Sequence, residues 1–281
     1  MKVKSKILKR LVRFFSKNYL ISIFVLVAIV TLGLIFYKSF LAKTNYAYVR
    51  VQINYPESYY TKPDIWLARS LKKGVSEEGL LGQKEAEVLG VTYYPNTNDL
   101  TQTQLNIYLD LKLQVGYNAS TGEYSFQRNT IAVGSPITLN FSTTHIIGTI
   151  LYIGNKPLAN NYVDKTIYLV WTGGFKKSSP YLYNSIKIGD AYFNGESDVF
   201  KIIDKKLEEN VFAVVNNFTS QVTEGSTDTT QDIVLVARVK LLKVNNLLVF
   251  GGSQIITEGE SMNLVTDDGL NLSSFVISAI Q

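Results

Sequence analysis

The clearest pattern along the chain is LNIYLDLKLQV (105–115), where Leu105, Ile107, Leu109, Leu111, Leu113 and Val115 share one face at period two. Such alternation predicts a strand with one buried face. YAYVRVQINY (46–55) alternates and is rich in Val, Ile and Tyr, and AEVLGVTYY (86–94) reads as a strand broken by Gly90. YNASTGEYSF (117–126) supplies a turn and a further strand. Between the first two, IWLARSLKKG (65–74) predicts a short helix ended by Gly74. IAVGSPITLNFSTTHIIGTI (131–150) reads as a closing hairpin: an apolar pair, a Gly, an alternating strand, a polar turn and a last apolar strand.

From Thr166 the same order returns. TIYLVWTGGF (166–175) is strand-like, and YLYNSIKIGD (181–190) places a short apolar helix and a Gly where IWLARSLKKG had them. VFAVVNN (211–217) takes the position of AEVLGVTYY, and TTQDIVLVARVKLLKV (229–244) that of TQTQLNIYLDLKLQV (101–115). In that last pair Gln104 falls on Asp232, Leu105 on Ile233, Leu111 on Val239 and Lys112 on Lys240. IITEGESMNLVTDDGLNLSSFVISAI (255–280) echoes the hairpin, with Gly134 on Gly259 and Leu139 on Leu264. The offset drifts between about 115 and 128 residues, as loop insertions in a tandem duplication of one β-rich unit would make it. The expected units are 46–152 and 166–281, joined by a linker at 153–165. Each would curl into a small β-barrel or sandwich-like body with one short helix, because a small antiparallel sheet must hide its edges.

Before the β-rich part the pattern changes. Residues 19–41, YLISIFVLVAIVTLGLIFYKSFL, carry one charge, Lys38, and predict a transmembrane helix. The basic tail 1–18 precedes it, so the positive-inside rule puts the N-terminus in the cytoplasm and everything beyond residue 43 outside the cell membrane. A cleaved signal peptide fits less well, since a cut after Ala42 would leave bulky Phe40 at −3. In the tail, Ile7, Leu8, Leu11, Val12, Phe14 and Phe15 recur at helical spacing among cations. That suits either a surface helix touching anionic inner-leaflet lipids through Lys9, Arg10 and Arg13, or an extended topogenic segment.

Charge corrects a first impression. The net charge is +5, but residues 1–43 hold nine of the 28 Lys and Arg and none of the 23 acidic residues. The rest therefore carries 19 basic against 23 acidic residues, net −4, which argues against nucleic acid as a partner. The chain has no Cys, so disulfides, thiolate metal sites and a Cys nucleophile are excluded.

The hydrophobic anchor, the phrases SLKKG and SIKIGD, and the ending carried by Ile131, Val133, Gly134, Ser135, Ile137, Thr138, Leu139, Ile147, Gly148, Thr149 and Ile150 together resemble the bacterial domain-of-unknown-function family 4330. The second copy departs from that ending, with Glu258 and Glu260 in place of Val and Ser. The resemblance implies a membrane-anchored β-domain in a bacterium and brings no established activity.

Candidate chemistry is sparse. His145 is the only His, which excludes Ser-His-Asp catalysis and multi-His metal sites. A Ser-Lys hydrolase would need its Ser-Met soon after the anchor, whereas Ser261-Met262 comes near the end. Glu77, Glu78, Glu85 and Glu87 offer a carboxylate pair for glycoside hydrolysis, or a solvated loop beside Gly79 and Gly82. Asn96 to Asp99 and Asp267-Asp268-Gly269 lack the alternating ligands of a calcium loop. Aromatic residues are the remaining lead: Tyr55, Tyr59, Tyr60 and Trp66 in the first copy, and Trp171, Phe175, Tyr181 and Tyr183 in the second. They suit binding of a sugar or protein, or burial between helix and barrel, and their recurrence in both copies favours burial. The expectation is a single-pass, extracytoplasmic binding or scaffolding module without cofactor or metal, its partner an envelope protein or glycan. A carboxylate-dependent polysaccharide-processing enzyme is the rival.

Overall fold

A computed structural model of the chain describes residues 19–36, 45–54, 65–79, 82–95, 105–171, 180–213, 227–262 and 264–281. Tyr55, Tyr59, Tyr60, Phe175, the segment Asn96–Asp99 and the tail cations Lys9, Arg10 and Arg13 lie outside them. The chain divides into two compact units, Met1–Asn45 and Tyr46–Gln281.

The first unit contains helix α1 (Tyr19–Phe36), 18 residues without a charge. It is apolar on all sides, with Phe24, Leu26 and Leu32 exposed. At 1.5 Å per residue it rises about 27 Å, just short of the ~30 Å hydrocarbon core of a bilayer. Among the described residues no helix is long and apolar enough to cross a membrane.

The second unit is all β apart from two short helices. Its first half runs β1 (Asn45–Ile53), α2 (Ile65–Ser70), β2 (Ser76–Glu78), β3 (Lys84–Pro95), β4 (Leu105–Asn118), β5 (Glu123–Phe126), β6 (Asn129–Ile131), β7 (Pro136–Phe141) and β8 (Thr144–Gly154). The strand order is β2-β3-β4-β1-β8-β7, with β5 and β6 attached to β4. The end strands β2 and β7 approach one another, so the sheet curls. Its inside is filled by alternate residues, among them Val49 and Val51 of β1 and Ile107, Leu109, Leu111 and Leu113 of β4. Burying a Leu or Val contributes about 1.5–3 kcal/mol each, so these runs dominate the fold.

The second half forms a second sheet with a similar element order: β9 (Tyr162–Trp171), α3 (Pro180–Ser185), β10 (Ala191–Phe193), β11 (Asp198–Ala213), β12 (Thr227–Val244), β13 (Leu247–Phe250), β14 (Gln254–Ile255) and β15 (Val276–Ile280). A separate core gathers around Leu169, Phe200, Leu235, Leu264, Phe275 and Ile277. Correspondence extends to single hydrogen bonds. Gly74 N–H donates to Val88 O and Val88 N–H to Val75 O, as Gly189 does to Ile202 O and Ile202 to Asp190 O. The β3–β4 ladder slips between Val88 and Gly90, and the β11–β12 ladder slips between Ile202 and Asp204. At the closing turn Gly134 N–H donates to Ile150 O and Gly259 N–H to Ile277 O. Both glycines hold positive φ, 86° and 88°, a left-handed turn that costs other residues strain. The hairpin β7–β8 is complete in the first copy; in the second, the described residues of the matching segment are joined by isolated bridges at Ser261–Val276 and Val265–Asn271 and by single backbone bonds such as Leu272 N–H to Leu264 O.

Three boundaries move. The strands invade the expected linker, since β8 continues to Gly154 and β9 begins at Tyr162. The helix in 65–74 stops at Ser70, before the glycine turn. Ladder equivalence also places Leu111 on Ala237, opposite Val88 and Ile202 respectively, rather than on Val239. A two-residue slip keeps every side chain on its face, so alternation alone cannot detect it.

Candidate binding cleft between the two copies

The polar residues interrupting the alternating strands meet on the outer face of the first sheet. Arg50 lies between core residues Val49 and Val51, and Asp110 between Leu109 and Leu111, so both side chains point away from that core. Arg50 grips Asp110 with two hydrogen bonds, Nε to Oδ1 at 2.8 Å and Nη2 to Oδ2 at 2.7 Å. Its Nη1 donates to Asn160 Oδ1 at 3.0 Å in the connection to the second copy. Burial works against the Arg50 charge, but the hydrogen bond and charge of Asp110 outweigh it and hold the guanidinium above its ordinary value.

The slip at Leu89 sets which aromatics reach this seam. Ala86 and Val88 face the first core, and beyond the extra residue Val91 and Tyr93 do, leaving Thr92 and Tyr94 on the other side. Tyr94 packs edge-on against Phe250 at 5.8 Å and joins the second core. Its hydroxyl accepts from Asn194 Nδ2 at 2.9 Å. Asn194 is 3% exposed and fully used: its Oδ1 accepts from the amides of Glu196 and Ser197, and its carbonyl from Tyr93 N–H at 2.9 Å. The next residue, Gly195, has φ +101°, and a Cβ there would stand 2.7 Å from Val91 O, so glycine lets the turn approach β3. Tyr192 donates from its hydroxyl to Tyr93 O at 3.3 Å. Burial penalises the phenolates of Tyr94, Tyr108 and Tyr192 and raises all three above the usual tyrosine range.

Beside this seam opens a cleft of about 810 Å³. One wall is the C-terminal end of α2 and its following turn, with Arg69, Lys72 and Lys73. The floor is Leu89, Gly90, Val91 and Tyr93 of β3, and the facing wall is Phe193, Gly195 and Glu196 of the second copy. Phe193 is 41% exposed and among the lining residues. Arg69 stacks over Trp66, 5.9 Å from the ring centroid, at the outer rim. Among the described residues Arg69, Lys72 and Lys73 have no carboxylate partner. Among the described residues Glu196 is the only carboxylate in the lining, leaning on Gly90. The arrangement can hold an anion and a ring; the carboxylate pair needed for glycoside hydrolysis is not among its lining residues.

The aromatic candidates separate. Trp66 and Tyr181, at equivalent positions of α2 and α3, are 69% and 86% exposed, correcting the expectation of burial. Leu67 and Leu182 turn inward instead, with Ala68, Leu71 and Ile186 buried beside them. Trp171 and Tyr183 are half-buried against the second core. Of the carboxylates, Glu77 and Glu85 converge on one group, Gln127 Nε2, at 2.9 and 3.1 Å. Glu77 is only 6% exposed and Glu87 pairs with Lys84, so neither opens on the cleft. His145 bonds Asn140 within an exposed hairpin, and the Ser261 carbonyl accepts from Gln254. Asp267 accepts from Phe193 N–H, and Asp268 bonds Thr266, whose hydroxyl draws its carboxyl below the usual range: turn chemistry. The cleft residues Arg69, Lys72, Lys73, Tyr93 and Phe193 were legible only as helix end and strand end. The signal that could have found them is the loss of cations from the second copy, which has Asn184 and Ile188 where the first has Arg69 and Lys73.

Comparison with family models, with curated proteins and with solved structures finds no match, so the reading of the cleft rests on its own geometry.

Proposed function

We propose that the chain is a single-pass, membrane-anchored, extracytoplasmic binding module of a bacterial envelope, non-catalytic, with its ligand site in the cleft between two barrel-like copies. The observation that carries this reading is the cleft itself: about 810 Å³, within the range of ligand sites, lined by three cations and Tyr93 of the first copy and by Phe193 of the second. The anchor is supported by the charge-free, all-round apolar surface of α1 and by an apolar sequence continuing to Ala42 with Lys38 as its one charge. The cations before it and the resemblance named above support the orientation.

Two experiments test the reading. Protease added to intact cells is expected to digest the chain beyond residue 43 and spare the N-terminal tail; a fully protected chain contradicts the orientation. A photo-crosslinking amino acid at Phe193, in full-length protein in native membranes, is expected to give a mass-shifted adduct, whereas one at exposed Val133 gives none. Equal labelling at both positions, or adduct at Val133 alone, contradicts a site in the cleft.

A further inference from the structure

We propose that the cleft takes a phosphate-bearing saccharide, with the phosphate between Arg69, Lys72 and Lys73 and the sugar ring against Tyr93 and Phe193; this rests on the cleft being the ligand site. Charge selects the anion. Three cations against Glu196 leave a lining of net +2, in a body that is net −4 from Thr44 onward. A phosphate monoester carries about −1.5 to −2 at neutral pH and offers three acceptor oxygens. The planar Arg fork and two ammonium groups match that tetrahedral group, where one carboxylate would leave donors unused.

Size and surface select the rest of the ligand. The space far exceeds a phosphate ion, and its remainder is Leu89, Val91, Tyr93 and exposed Phe193, a surface for the C–H face of a ring. Glu196 stands among them as an acceptor for hydroxyls. The repeated fold supplies an internal control. Ladder and turn equivalence puts Asn184, Lys187 and Ile188 where Arg69, Lys72 and Lys73 stand, while Leu182 and Ile186 match the inward residues Leu67 and Leu71, and Gly189 matches the turn residue Gly74. The fold therefore keeps the apolar residues and the glycine, and tolerates loss of two of the three cations.

The test is calorimetry on the full-length chain in detergent with glucose 1-phosphate, inorganic phosphate and glucose, at two salt concentrations. Glucose 1-phosphate is expected to bind at least tenfold more tightly than either fragment and to weaken with salt. The variant Arg69→Gln, Lys72→Gln, Lys73→Gln is expected to lose roughly tenfold or more in affinity, since it removes charge-assisted hydrogen bonds. Its thermal unfolding should match the parent, because these side chains are exposed. Phe193→Ala should weaken glucose 1-phosphate while leaving inorganic phosphate unchanged. Glucose binding as well as glucose 1-phosphate, with a cleft adduct still formed from position 193, would overturn the phosphate and leave the cleft. Binding unchanged in the triple variant, or none of the three probes binding, would overturn the proposal outright.

Discussion

Above pH 10 the β-rich unit is expected to lose stability, at up to about 1.4 kcal/mol per pH unit for each tyrosine whose phenol burial keeps protonated. Tyr94, Tyr108 and Tyr192 are each less than a tenth exposed, and burial holds their phenols protonated past the usual range. In the unfolded chain they ionise near pH 10. Below that value both states keep the proton and the stability is fully present. Above it the unfolded state releases protons that the folded state retains, and the loss continues until the folded groups also titrate. Urea unfolding followed by circular dichroism at pH 9, 10, 11 and 11.5 measures the slope. Replacing the three by Phe is expected to remove most of it; an unchanged slope would show that these hydroxyls are not buried at the seam.

Asp110→Ala is expected to cost about 3 kcal/mol, the second largest effect. It strips both hydrogen bonds from Arg50 Nε and Nη2, whose side chain is only 13% exposed, and leaves a guanidinium held by Asn160 alone. Asp110 itself is 31% exposed, which keeps the figure at the low end for a buried pair. The second copy shows how to remove the pair without the penalty, because Tyr168 and Val236 stand opposite each other at the equivalent positions. Arg50→Tyr with Asp110→Val should therefore recover to within about 1 kcal/mol of the parent. Denaturant midpoints decide it: a loss under about 1 kcal/mol in Asp110→Ala would mean that solvent already screens the pair.

Much of the fold was legible because one physical rule dominates it. Period-two burial wrote β1, β3, β4 and the β7–β8 hairpin into the sequence, and the glycine turns at Gly74 and Gly134 recurred where the backbone needs them. The same rule limited the reading. Sliding β12 by two residues against β4 preserves its faces, so the apparent match of Lys112 with Lys240 was a coincidence that only hydrogen-bond register corrects. The seam was not legible. Arg50, Asp110, Thr92 and Tyr94 occupy the non-core positions of their strands and read as solvent-facing, because alternation says which residues leave one core and nothing about whether a second body waits there. Asn194 gave no sign either, since its importance comes from Tyr93 and Tyr94 a hundred residues away. Trp66 and Tyr181 erred the opposite way: on so short a helix the smaller Leu67 and Leu182 fill the space beneath, and the larger rings stay in solvent.

The account turns on the two copies forming one body, because the cleft exists only if they do. Hydrogen exchange at the Tyr93 amide tests this directly, since that N–H is bonded across the seam to Asn194 O at 2.9 Å. If the copies are locked together, Tyr93 should exchange as slowly as the core amides of β4 around Leu109, and Asn194→Gly should speed both seam and cleft residues. If Tyr93 exchanges orders of magnitude faster than Leu109 in the unaltered chain, the seam opens freely and the cleft is not a preformed site.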